Sequence, residues 1–192
     1  MPYSFDFERA LQHAAQLHRR QVRKGSDIPY VTHLLAVAAI VAEYGGSEDE
    51  VMGALLHDAV EDTPVTIEDI RGWYGDNVAM IVQGCSDTEV LPKPPWQERK
   101  ETYVEHIRDA PRSVRLVSAA DKLHNARMVL KDLRTDGEAV WGRFKGGKEG
   151  TLWYYRAMVD ALGYLEDMGD IVEELEGIVR EIENLSASKS GN

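Results

Sequence analysis

The chain has 192 residues, room for one domain of a size that folds without the disulfides or structural metals that much smaller domains need. Apolar residues make up 43% and charged residues 29%, which excludes collagen-like and wholly disordered classes. The 33 acidic residues outnumber the 22 basic ones for a net charge of −11, a field that argues against extended nucleic acid or an anionic membrane as partner. Cys85 is the only cysteine, so neither an intrachain disulfide nor a thiolate-rich zinc site can be built, and a reducing cytoplasm is the expected location. The N-terminus carries Asp6 and lacks the basic start and apolar core of a secretory signal. The longest apolar run, Leu34–Ala42, is far too short to span a bilayer.

Apolar residues in Phe5–Val22 recur three or four apart, predicting a first amphipathic helix broken by Gly25-Ser26-Asp27. A second helix is expected after Pro29, through His33, Leu34, Val37, Ile40 and Val41, with Gly45-Gly46 as its stop. Ser47 with Glu50 is a capping-box pattern that opens a third, Glu48 to about Val60, closed at Thr63-Pro64. Thr66 reads as the N-cap of a short helix to Trp73, and Asn77–Gln83 as another. Ser86–Pro95, with three prolines, predicts a long surface loop. Helical patterns return at Gln97–Ile107, Ser113–Leu133, Thr151–Leu165 and Asp170–Asn184, with Arg143–Gly150 as a basic, glycine-rich connector. Ser186–Asn192 is expected to be a disordered tail after one domain spanning residues 1–185. No alternating β-branched run or solenoid-period repeat is present, so the expected fold is a single all-α, multi-helix domain.

Chemistry concentrates in Leu56-His57-Asp58-Ala59-Val60-Glu61-Asp62-Thr63, at the end of an otherwise apolar helix. Spacing of four places His57 over Glu61 and Asp58 over Asp62. Three carboxylates beside an imidazole, with no lysine or arginine among them, suit a divalent transition metal such as Mn, Fe or Zn. A His-Asp pair alone is more often a solvated helix end. His33 interrupts the apolar face of the second helix, and Asp121 ends the run Val114–Ala120; each alone is more often a hydrogen-bonded core residue. Together the four supply mixed nitrogen and oxygen ligands in chain order, with coordination positions left for water and substrate.

That order, with its surrounding words, resembles the HD phosphohydrolase superfamily. Arg23-Lys24-Gly25, Ile28-Pro29-Tyr30-Val31-Thr32-His33, the segment Leu56–Thr63 and Ala120-Asp121-Lys122-Leu123-His124-Asn125-Ala126-Arg127 are similar to the hydrolase domain of Rel/SpoT proteins. The resemblance is closest to stand-alone small alarmone hydrolases of the Mesh type and covers roughly residues 5–165. It implies a compact HD-domain fold and Mn²⁺-dependent removal of the 3′-pyrophosphate from a guanosine 3′,5′-bis-polyphosphate. His33, His57, Asp58 and Asp121 would hold the metal; Glu61 and Asp62 would orient or activate water, with Glu61 favoured for its longer reach. Arg23 and Lys24 would lie along the base, Asn125 would bond ribose or base, and Tyr155 would pack on the nucleotide. Lys93, with Arg99 and Lys100, would reach the phosphates. The implied partner is a small nucleotide polyphosphate, with neither extended nucleic acid nor membrane.

Composition alone leaves the bland readings open: a solvated Arg23-Lys24 pair closing a helix, a surface Asn125, a core Tyr155, a solvated charge run around Lys93. His13, His18, His106 and His124 read as structural, with His18, which faces the Arg23 turn, as the candidate exception. Beyond Arg134 the chain departs from the family pattern, which leaves guanine or adenine as the base. Two rival functions remain at this level: hydrolysis of another nucleotide, including a nucleoside monophosphate, at the same metal site, and a non-catalytic binding module on the same fold. A length of 192 residues leaves no room for a synthetase domain beside the hydrolase, so hydrolysis alone is expected.

Overall fold

The computed structural model describes residues 3–88, 92–163 and 168–188. These are helical almost throughout: α1 (Phe5–Leu17), α2 (Val31–Glu43), α3 (Glu48–Leu56), α4 (Ala59–Asp62), α5 (Ile67–Cys85), α6 (Trp96–Asp109), α7 (Arg112–Asp136), a 3₁₀ segment (Gly137–Arg143), α8 (Gly147–Leu162) and α9 (Gly169–Ser188). Among the described residues the only extended pairing is an isolated antiparallel bridge, Val22 with Pro29. The all-α expectation holds, and no helix of the described residues is long and apolar enough to cross a membrane.

The helices form two compact units. One comprises α1 to α5 with the start of α7, through Ala120; the other comprises α6, α7 from Asp121, the 3₁₀ segment, α8 and α9. In the first unit α3 packs against α1, α2 and α5. Its core includes Leu34, Val37, Val41, Leu55, Leu56, Ile70, Ile81 and Leu116. Gly53 lets α3 and α5 approach: a Cβ there would lie 2.5 Å from Ile81 Cγ2. In the second unit α8 packs against α6, α9 and the 3₁₀ segment, around residues such as Met158, Leu162, Leu175, Val179 and Ile182.

Local signals set the helix ends. The Ser47 capping box forms in full, Ser47 Oγ accepting from Glu50 N–H while the Glu50 carboxylate accepts from Ser47 N–H; Thr66 and Asp69 form a second. Gly75, at φ 86° and ψ 178°, interrupts α5, so the two short helices expected around it exist as two segments in one run. Several boundaries differ from expectation. The first helix ends at Leu17, not Val22, because the chain turns so that Tyr30 N–H reaches Gln21 O and Arg23 N–H reaches Ile28 O. The third ends at Leu56, with Asp58 at φ −96°, ψ −1° before the single turn of α4. The expected connector Arg143–Gly150 shrinks, since α8 already begins at Gly147. The expected tail is corrected at its start: α9 runs through Ser188, and the buried Ser186 donates its hydroxyl proton to Ile182 O. Residues 189–192 of that tail, and Tyr164 and Leu165 of the expected eighth helical stretch, lie outside the described residues.

Candidate metal centre

His33 stands in the first turn of α2, where Pro29 O accepts from Thr32 N–H and Tyr30 O accepts from His33 N–H. An apolar helix buries it to 1% exposure. His57 is the C-cap residue that follows α3 and is 3% exposed. Asp58 follows in the bridge region between α and extended geometry, a conformation common at active sites, and its side chain turns toward both histidines. The three offer ligand atoms that all lie within 4.8 Å of one another. Asp58 Oδ2 is 3.1 Å from His57 Nε2 and 3.8 Å from His33 Nε2, and the two imidazole centroids are 5.4 Å apart.

Hydrogen bonding orients this set. His57 Nδ1 lies 2.8 Å from Ala54 O; a carbonyl only accepts, so Nδ1 carries a proton and Nε2 is the nitrogen turned toward Asp58. Asp58 Oδ2 also accepts the Tyr30 hydroxyl proton at 2.5 Å. Nε2 at 3.1 Å from a carboxylate oxygen is favourable only with positive charge between the two, a proton on the ring or a metal ion held by both. Two imidazole nitrogens and one carboxylate oxygen, with one histidine's other nitrogen donating to a backbone carbonyl, are the donor set and outer bonding of a divalent transition-metal site. The residues present fit such an ion.

The carboxylates that follow diverge, because the chain unwinds at Asp58 and restarts as α4. Glu61 Oε1 accepts from Asp87 N–H at 2.7 Å and Oε2 from Lys93 Nζ at 3.2 Å. Burial raises the Glu61 carboxyl above its ordinary value, opposed by the Asp87 N–H and reinforced by the charges of Asp87 and Asp58. Asp62, exposed, accepts instead from Gln21 Nε2 at 2.7 Å. Arg23 is half-buried in the turn after α1, its guanidinium carbon 5.8 Å from the Tyr30 ring centroid, and Lys24 beside it is exposed.

The other expected site residues belong to the second unit. Asp121 is 8% exposed, and both its oxygens are held: Oδ2 by Lys122 Nζ at 2.5 Å, Oδ1 by Asn125 Nδ2 at 2.6 Å. Asn125 thus bonds a side chain four residues back on its own helix. Burial works against charge on Lys122, but the Asp121 carboxylate, with Tyr154 and Tyr103 nearby, outweighs it and holds the ammonium well above the ordinary lysine range. Lys122 and Lys100 both lie over the Tyr154 ring, at 5.7 and 4.9 Å. Arg99 Nε donates to Pro94 O at 3.3 Å. Tyr155 is 6% exposed in α8.

The sequence reading missed Tyr30, Gln21, Asp87 and Lys122. Tyr30 and Lys122 carried a weak signal, each standing in a motif close to a candidate ligand, His33 and Asp121. Gln21 and Asp87 carried none, since their carboxylate partners are 41 and 26 residues away.

A family model of the HD domain matches residues 10–152. The chain is 41% identical over 135 residues to the guanosine-3′,5′-bis(diphosphate) 3′-pyrophosphohydrolase MESH1 of Xenopus tropicalis, covering 69% of this chain and 72% of that one. It is 37% identical over 141 residues to the protein of the same name from Drosophila melanogaster, covering 72% and 75%. Among solved structures, a metazoan ortholog of SpoT described as hydrolysing ppGpp superposes with a TM-score of 0.79 at 30% identity, covering 94% of this chain and 97% of that one.

Proposed function

The chain belongs to the HD-domain family, and from that premise we propose that it is a metal-dependent phosphohydrolase that removes the 3′-pyrophosphate of a guanosine 3′,5′-bis-polyphosphate. The observation that carries the reading is the convergence of His33, His57 and Asp58 within 4.8 Å, in a chain whose relatives bear that activity in their names. Mn²⁺ is the proposed ion, held by these three residues. On the sequence motif alone, Asp121 is proposed as a further ligand. The lone Cys85 supports a cytoplasmic setting.

A divalent ion at this centre supplies Lewis acidity toward a phosphoryl oxygen and makes water more acidic. The chain's own residues do the rest. Glu61 is the proposed proton acceptor: its partial burial makes its carboxylate more basic, and the Asp87 N–H fixes its orientation. Asp62, anchored by Gln21, orients the attacking water. Arg23, backed by the Tyr30 ring, presents a planar cation that stacks on a purine, with Lys24 adding charge. Lys93, on Glu61 in this structure, is proposed to exchange that carboxylate for a phosphate. On the resemblance alone, Asn125 and Tyr155 are proposed as ribose and base contacts.

The test is incubation of the purified chain with Mn²⁺ and guanosine 3′,5′-bis(diphosphate), alongside adenosine 3′-polyphosphates and nucleoside monophosphates. Pyrophosphate release from the guanosine substrate, abolished by EDTA and restored by Mn²⁺, is the expected result. Release from none of the panel refutes the proposal.

A further inference from the structure

Behind Asp58 and Asp62 stand Tyr30, Gln21 and His18, which touch one another as well as the two carboxylates. Tyr30 Oη donates to Asp58 Oδ2, the oxygen that faces both histidines. The Tyr30 ring stacks on His18, centroids 5.4 Å apart at 30°. His18 is 2% exposed, and its Nδ1 lies 2.6 Å from Gln21 Oε1. Gln21 directs Nε2 to Asp62 Oδ2 at 2.7 Å; its Oε1 therefore faces the ring and accepts the Nδ1 proton. One buried imidazole thus backs two lines of contact, through Tyr30 to Asp58 and through Gln21 to Asp62.

We propose that Tyr30 and Gln21 are positioning residues, Tyr30 fixing the metal-facing oxygen of Asp58 and Gln21 fixing Asp62, with His18 as the buried support common to both. The inference rests on the reading of His33, His57 and Asp58 as a metal site. A hydroxyl bonded to a carboxylate makes a strong, charge-assisted bond that removes rotational freedom from the ligand before the ion arrives. Outer partners of this type are commonly worth about 10- to 100-fold in metal affinity. Gln21 acts on the other carboxylate in the same way. Its loss leaves Asp62 free to rotate away from the reacting water, a fault of orientation rather than of substrate binding.

Tyr30→Phe isolates the hydroxyl, because the ring that stacks on His18 and carries Arg23 remains; near-UV circular dichroism checks the packing. Mn²⁺ is titrated calorimetrically into metal-stripped wild type, Tyr30→Phe, Asp58→Asn and the double variant. The expected result is an affinity about tenfold weaker in Tyr30→Phe, with no further loss when the change is made on Asp58→Asn. Tyr30→Phe binding within about twofold of wild type, or a tenfold loss that persists on Asp58→Asn, overturns the Tyr30 role. For Gln21→Leu, kcat at saturating Mn²⁺ is expected to fall about tenfold with KM unchanged. His18→Phe, which keeps the stack and removes the Nδ1 donor, is expected to lower kcat in the same sense while Mn²⁺ affinity stays within about twofold. A loss carried by KM, or no loss, overturns the Gln21 role. Failure of the metal reading looks different: wild type then takes up no Mn²⁺, or Asp58→Asn binds as tightly as wild type.

Discussion

Gly53→Ala tests whether the packing of α3 on α5 sets the site. A Cβ at Gly53 would lie 2.5 Å from Ile81 Cγ2 and 3.1 Å from Ile81 Cβ, against about 3.5–4.0 Å for carbon atoms at ordinary contact. Rotating Ile81 moves Cγ2 but not Cβ, so the backbones must part by some tenths of an ångström. Forced overpacking of this kind costs about 1–3 kcal/mol, and the glycine-to-alanine change within a helix returns about 1 kcal/mol. The net expectation is destabilisation by about 0–2 kcal/mol in urea unfolding. The larger effect is expected on function, because α3 ends at Leu56, immediately before His57 and Asp58. Moving α3 displaces both against His33 on α2. Mn²⁺ affinity should fall by more than the loss of stability explains. Ile81→Ala, which removes the clashing Cγ2, should restore part of that affinity in the double variant, giving a coupling of about 1 kcal/mol. The reasoning is refuted if Gly53→Ala gains about 1 kcal/mol, as an unobstructed helical site would, and binds Mn²⁺ like wild type.

Three further outcomes are expected. Burial raises the Glu61 carboxyl, so the folded state holds that proton more tightly than the unfolded chain. Its contribution to stability is therefore present below the unfolded value and lost as pH rises through the folded one. The metal-free wild type should thus lose melting temperature relative to Glu61→Gln as pH climbs from about 4.5 upward, while Glu61→Gln loses hydrolysis; parallel melting curves from pH 4 to 8 would contradict this. His57→Ala should abolish calorimetric Mn²⁺ binding yet leave a folded, helical chain by circular dichroism, because a domain of this size does not depend on the ion to fold. Ser47→Ala removes the side-chain half of the α3 capping box and should cost about 1 kcal/mol in urea unfolding, with pyrophosphate release in the presence of Mn²⁺ retained at 25 °C.

The all-α class, the capped starts of α3 and α5, the turn between α1 and α2 and the grouping of His33 with His57 and Asp58 were all legible in the sequence. They rest on short-range rules or on a motif whose members stand in fixed order. Helix ends were read less well where a tertiary bond competes with the local pattern: α1 stops at Leu17 because Gln21 and Arg23 pair with Tyr30 and Ile28. Spacing of four predicts His57 over Glu61 and Asp58 over Asp62 at a helix end, whereas the chain unwinds at Asp58 and sends its three carboxylates to different partners.

By itself, then, the sequence determined which residue types are available for chemistry, their order, and the helices that carry them, because hydrophobic period, caps and breakers act over a few residues. Only the tertiary structure decided which donor meets which carboxylate. Tyr30 reaches Asp58 across 28 residues, Asp87 reaches Glu61 across 26 and Gln21 reaches Asp62 across 41. Such pairings depend on how apolar faces pack and on the requirement that each buried polar group find a partner. No periodicity in the chain encodes either.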